Sequence, residues 1–184
     1  MKLTGENRIN ARPAEVWRAL NDPDVLRRAI PGCESLEKVS DTEFKATVAT
    51  KIGPVQAKFN GQVQLSDLDP PRGYTISGSG SGGPAGNARG SARVRLEPDG
   101  NGTKLTYDVD AQVAGKLAQI GSRLIDSAAK MLAGQFFDRF QEIVGAPAPA
   151  RTEPTRPKPL AVPTWAWAVG AAILALLGLY LFAR

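Results

Sequence analysis

The chain has 184 residues, 42% of them hydrophobic, which is enough for one domain with its own core plus an appendage. With no histidine, a single cysteine (Cys33) and two methionines, it lacks the side chains for most metal sites, for Ser/His or Cys/His nucleophile pairs and for an internal disulfide. The net charge of +5 does not mark a nucleic-acid face: residues 1–150 hold 19 Lys+Arg against 17 Asp+Glu, and residues 151–184 hold 4 against 1, so much of the excess lies beside the tail, where it suits an anionic membrane surface.

Met1 to Asn10 is polar and alternating with no apolar h-region, so no signal peptide is expected, and the lone cysteine fits a reducing compartment. Leu3 to Asn10 predicts a first strand. Pro13 followed by AEVWRALND predicts a short helix with Val16, Trp17 and Leu20 on one side, and Pro23 to Ile30 a second one ending at Pro31-Gly32. Five segments then alternate with period two, each with one dry face: Phe44 to Ile52, Ala57 to Leu65, Tyr74 to Gly80, Ala88 to Leu96 and Leu105 to Val113. Gly53-Pro54, Asp69-Pro70-Pro71 and Asp99 to Gly102 carry turn chemistry between them, so consecutive hairpins of an antiparallel sheet are expected. A long helix from about Gly115 to Val144 covers the dry face, with Leu117, Ile120, Leu124, Ala128, Met131, Phe136, Phe140 and Ile143 mostly at spacings of three and four.

Beyond this domain (residues 1–145), residues 146–162 form a proline-rich linker that favours an extended, semi-rigid tether. Residues 163–182 (PTWAWAVGAAILALLGLYLF) carry no charge and are long enough as a helix to cross a bilayer core of roughly 30 Å. Trp165, Trp167 and Tyr180 sit where interfacial aromatics belong. Arg151, Arg156 and Lys158 precede the span and only Arg184 follows it, so the expectation is a single-pass, tail-anchored protein of the cell inner membrane with its N-terminal domain cytoplasmic.

The run GSGSGGPAGNARG has G-x-G spacing, but a dinucleotide loop must open a helix and this run precedes a strand; a glycine-rich hairpin with an exposed tip, open to a docking partner, is expected instead. Asp108 and Asp110 fall on the wet face and suit solvation better than acid/base work. Cys33 is read as a small buried hydrophobe, with a place at a pocket mouth as the alternative. No catalytic or metal-ligating residue is assigned.

The element order is that of an α+β helix-grip fold, a curved antiparallel sheet wrapped on a long C-terminal helix. The wording of NARPAEVWRALNDPDVL, IPGCE, KIGPVQAKFNGQVQLSDLDPP and the stretch around GKLAQIGSRLID resembles the carbon monoxide dehydrogenase CoxG family of the START/Bet v 1-like (SRPBCC) superfamily, over nearly all of residues 1–144. Arg12 departs from the family, which usually has a small residue or proline there. The resemblance implies a non-catalytic accessory protein that recruits a molybdenum-containing hydroxylase complex, of the carbon monoxide dehydrogenase type, to the cytoplasmic membrane. It also implies a hydrophobic cavity suited to a lipid, sterol or quinone.

Independently of any resemblance, the dry face is rich in glycine and alanine (Gly61, Gly78, Gly80, Ala88, Gly90, Ala92 and Ala111), too little volume to fill the space under a curved sheet. Either the helix presses close or a cavity remains. The expected contacts of a hydrophobic small molecule, a quinone or lipid held without covalent attachment, are Ile30, Phe59, Gly61, Ile76, Ala92, Tyr107, Val109, Leu117, Ile120, Leu124 and Met131, with Gly121 and Gly134 breaking the helix above them. A second reading, an enzyme of the same fold such as a cyclase or hydrolase acting on an apolar substrate, needs a polar cluster in the cavity, for instance around Tyr74 and Tyr107.

Overall fold

The computed structural model describes residues 1–145. Strand β1 (Lys2–Ile9) is followed by helices α1 (Pro13–Leu20) and α2 (Pro23–Ala29). Then come β2 (Cys33–Lys38), β3 (Glu43–Ile52), β4 (Val55–Asp69), β5 (Gly73–Ser81), β6 (Asn87–Asp99) and β7 (Gly102–Ala114), and finally α3 (Lys116–Gln119) and α4 (Ser122–Val144). The seven strands form one antiparallel sheet in the order β1-β7-β6-β5-β4-β3-β2. Six successive strands meander, and β1 returns beside β7, so the edges are β1 and β2. The architecture is the α+β helix-grip arrangement expected, with one strand, β2, beyond the period-two segments.

Local chemistry places the two small helices. At α1, Arg12 is the N-cap residue, and its backbone N–H donates to Glu15 Oε2 (2.9 Å) while its guanidinium pairs with Glu15 Oε1 (3.2 Å). That backbone bond, and then the guanidinium, hold the Glu15 carboxyl below its ordinary range. At α2, Asp22 Oδ1 accepts from the N–H groups of Asp24 (2.9 Å) and Val25 (3.3 Å) ahead of Pro23. The chain leaves α2 through Gly32, whose φ of 73° and contact with the Ala49 carbonyl both require a residue without a Cβ.

The inner face of the sheet is uneven. At one end Ile9, Phe44, Leu65, Tyr74, Val94, Leu96 and Leu105 are buried, and the C-terminal half of α4 packs on them through the fully buried Phe140. Thr103, also fully buried, donates from Oγ1 to the Ala11 carbonyl at 2.6 Å, so the polar group in this core is satisfied. At the other end the rows Ala46–Gly61–Gly80–Ala88–Val113 and Gly78–Gly90–Ala111 cross the sheet. A Cβ built at Gly61 or Gly80 would meet only neighbouring strand backbone, at 3.5 Å or more. Among the described residues no side chain comes within 4 Å of either Cβ position.

Two features of the covering helix differ from expectation. It is interrupted once, at Gly121 (φ 91°), which separates α3 from α4, and it runs unbroken through Gly134. Its phase also differs: no residue of α4 other than Phe140 is fully buried, and Leu124 and Met131 are each 52% exposed. At about 100° per residue, Leu124 and Met131 share a face nearly opposite Phe140, and the half-buried side is that of Ile125, Ala129, Leu132 and Ala133.

Among the described residues no helix is long and apolar enough to cross a membrane. The expected linker (146–162) and span (163–182) lie outside the described residues.

Candidate functional site: an apolar cavity beneath the sheet

Between the inner face, α1, α2 and α4 lies a cavity of about 380 Å³. Leu20, Leu26 and Ile30 close one side, and Ala133, Phe136 and Phe137 of α4 another. The floor is the sheet, from Leu3 on β1 to Leu36 on β2, with Ile76, Ala92, Val94, Tyr107 and Val109 across the middle. Ile30, Ile76, Ala92 and Val109 are apolar and inward yet only half-buried, as expected for walls that face unfilled space instead of packed neighbours. The volume and the nearly all-apolar lining are those of a small-molecule pocket.

Two aromatic ladders set the shape. Tyr107 stacks on Phe137 (ring centroids 5.6 Å, 15° between planes), and its ring lies over Gly5 of the paired strand, where any Cβ would collide with it. Trp17 meets Tyr74 edge to face at 5.3 Å. Phe136 continues toward the core, stacked on Phe140 at 5.6 Å. Tyr74 and Tyr107 are each held by a ring from another element, Trp17 of α1 and Phe137 of α4, which fixes that part of the wall, while Phe136 pairs within α4.

The hydroxyls of Tyr74 and Tyr107 are the only side-chain polar groups in the lining, and no lining residue is charged. Burial pushes the Tyr74 phenol well above its ordinary range, so it stays protonated. The folded state therefore disfavours the phenolate. The stability this contributes is complete below the ordinary phenol value of about 10 and is lost as pH rises beyond it. In thermal melts from about pH 8 to 11, Tyr74→Phe is expected to lose less stability with rising pH than the parent chain. Equal slopes would show that Tyr74 titrates freely in the fold.

Of the sequence-expected contacts, the structure gathers Ile30, Ile76, Ala92, Tyr107 and Val109 into this lining. The other six lie outside it, for distinct reasons. Phe59 lies farther along β4, beyond the cavity, with its ring over Gly82. Gly61 pairs with Ala46, which is in the lining, yet itself borders only the larger hollow described below. Leu117, buried, and Ile120 belong to the segment before Gly121, near the 3-10 turn Gly83–Ala85. Leu124 and Met131 point outward because α4 is rotated relative to the phase read from its apolar spacing.

The residues missed are chiefly Leu3, Leu20, Leu26, Leu36, Ala133, Phe136 and Phe137. The first two small helices carried the signal, since their apolar sides must face something and the sheet is the only large apolar surface near them.

A larger hollow of about 950 Å³ opens on the outer face, where Lys45, Gln62, Arg89 and Gln112 stand on the bent strands. Its lining mixes these polar side chains with the small residues Ala46, Gly61, Gly80, Ala88 and Val113. Asp108 and Asp110 are exposed on this outer side, and the glycine-rich run leads into β6. Its tip is exposed at Gly83 and Pro84, with Ala85 and Gly86 buried behind them. Cys33 starts β2 outside the cavity lining, half-buried, and burial pushes its thiol up.

Residues 5–145 match the family of CoxG, the G component of carbon monoxide dehydrogenase. The chain belongs to that family. A conserved protein from Geobacillus kaustophilus has the same fold at 33% identity, with 79% of this chain and 95% of that chain covered and a TM-score of 0.74. Proteins from Rhizobium leguminosarum (18% identity, 79% and 94% covered, TM-score 0.61) and Mycobacterium smegmatis (15%, 79% and 91%, 0.60) share the fold alone. No protein of curated function matches the chain.

Proposed function

We propose that this member of the CoxG family is a membrane-anchored accessory protein of a carbon monoxide dehydrogenase-type molybdenum hydroxylase. It recruits that enzyme to the cytoplasmic membrane and holds an apolar membrane-derived molecule, a quinone or lipid, in its cavity. The observation that carries the reading is the 380 Å³ cavity whose lining has two phenol hydroxyls and no charged group. Such a site binds apolar bulk and offers no acid/base pair for catalysis, which favours a carrier over a cyclase or hydrolase. The charge-free segment 163–182 supplies the anchor, and the basic residues before it supply the orientation, with the domain on the cytoplasmic side.

Fractionation tests the recruiting role. In cells making the full chain, the hydroxylase is expected in the membrane fraction; in cells making a chain that stops after residue 145, it is expected to move to the soluble fraction together with the truncated domain. Hydroxylase that stays with the membranes in the truncated strain would show that this chain does not hold it there. Protease added outside intact spheroplasts is expected to spare the domain, and digestion of it would reverse the orientation.

A further inference from the structure

The outward face of α4 changes character along its length. Leu124, Ala128, Met131, Gln135, Asp138 and Glu142 fall on one face at spacings of three and four. Its second half is polar and charged, as a solvent-facing helix surface normally is. Its first half is apolar, with Leu124 and Met131 each 52% exposed, and the cations Arg123 and Lys130, both exposed, flank that apolar stripe on one side. Asp126, the acid of this half, lines a hollow with Met1 and Lys2 on another side of the helix. The first half of α4 is thus apolar on two faces, the half-buried one of Ile125, Ala129 and Leu132 and the one of Leu124 and Met131, which nothing among the described residues covers.

We infer that the Leu124–Met131 face is a second membrane contact, an interfacial docking surface for an anionic bilayer that orients the domain. The inference rests on the anchored reading of the preceding section. An apolar stripe edged by lysine and arginine is the pattern of a helix that lies in the headgroup region, with its apolar side chains at the acyl boundary and its cations on anionic lipid. The remainder of the chain makes that occupant available. The 17 residues of the proline-rich segment 146–162 are enough chain to span about 50 Å, and α4 itself is about 35 Å long. The tether leaving the C-terminal end of α4 is therefore long enough for its N-terminal half to rest on the same bilayer, at the high effective concentration that tethering provides.

The test uses the full chain carrying Cys33→Ser and one new cysteine, Leu124→Cys, Met131→Cys or Glu142→Cys, labelled with an environment-sensitive fluorophore. The chain is reconstituted into phosphatidylcholine vesicles with and without phosphatidylglycerol. In vesicles containing phosphatidylglycerol, labels at 124 and 131 are expected to shift to the blue and to lose iodide quenching several-fold relative to the label at 142. Adding Arg123→Glu and Lys130→Glu is expected to reopen them to iodide. Chains that float with the vesicles but show equal quenching at 124 and 142 overturn the docking face and leave the anchor standing. Chains that do not float overturn the anchor, and the docking face with it. Shielding that comes with energy transfer between differently labelled chains gives the face to a second copy and overturns the bilayer as its occupant.

Discussion

Ala92→Phe is expected to empty the cavity of its ligand while the domain stays folded. Ala92 sits mid-floor on β6, between Ile76 and Val109 of the neighbouring strands, and it is half-buried only because unfilled space lies above it. A phenyl group there occupies the volume a ligand would use. Retained ligand after purification should fall by about tenfold or more, equivalent to about 1.4 kcal/mol of binding free energy or more. In a filled core the same enlargement would instead strain its neighbours, typically by about 1–3 kcal/mol. The pair of measurements therefore separates the two structures: ligand loss with a nearly unchanged denaturation midpoint supports a cavity, and marked destabilisation supports a packed core. Gly61→Phe is the second probe, because an added Cβ there meets only strand backbone at 3.5 Å and beyond. It is expected to be tolerated, with a weaker effect on retention since Gly61 borders the larger hollow and not the inner cavity.

Phe140→Ala is expected to be the most damaging single truncation. Phe140 is fully buried, stacks on Phe136 at 5.6 Å, and joins the C-terminal half of α4 to the packed end of the sheet. Removing the ring should cost about 3–5 kcal/mol, lost transfer energy plus the void left behind. That is a large part of the roughly 5–15 kcal/mol typical of a whole domain. Leu124→Ala on the same helix is the control, since a half-exposed side chain pointing outward should change stability by less than about 0.5 kcal/mol in the absence of membranes. Chemical denaturation of both variants checks the helix phase directly. Comparable losses at the two positions would mean that α4 turns its Leu124 face to the sheet.

That phase marks the limit of what local sequence carries. The strands were legible because period-two alternation needs only the residues themselves: the dry set from Phe44 to Val113 is the inner face of the structure, and the hairpin turns fall where the glycine and proline pairs stand. Strand β2 was not. It is a short edge strand in which Leu36 is the one large apolar residue, and an irregular register between Cys33 and Ser35 breaks the alternation.

On α4 the sequence offers adjacent apolar pairs, Leu124-Ile125 and Met131-Leu132, so two stripes about 100° apart satisfy the same spacing. Which stripe faces inward is decided by the aromatic cluster of Phe136, Phe137 and Phe140 further along the helix, and the step of five from Met131 to Phe136 is the one local sign that the two sets do not share a face. The same rotation accounts for Leu124 and Met131 leaving the cavity and for Ala133 and Phe137 entering it. Glycine-rich inner rows, by contrast, announced missing volume directly from composition. They did so without locating it, since the cavity sits under the larger residues beside those rows, closed by α1 and α2.

The measurement that bears most directly on the central claim is quantitative mass spectrometry of the organic extract from full-length protein purified in detergent, beside Ala92→Phe purified identically. The expected result is one apolar species, quinone or lipid, near one per chain in the parent and strongly depleted in the variant. An extract from the parent that holds no apolar species beyond what the variant and the detergent blank contain would contradict the cavity's role as a carrier site.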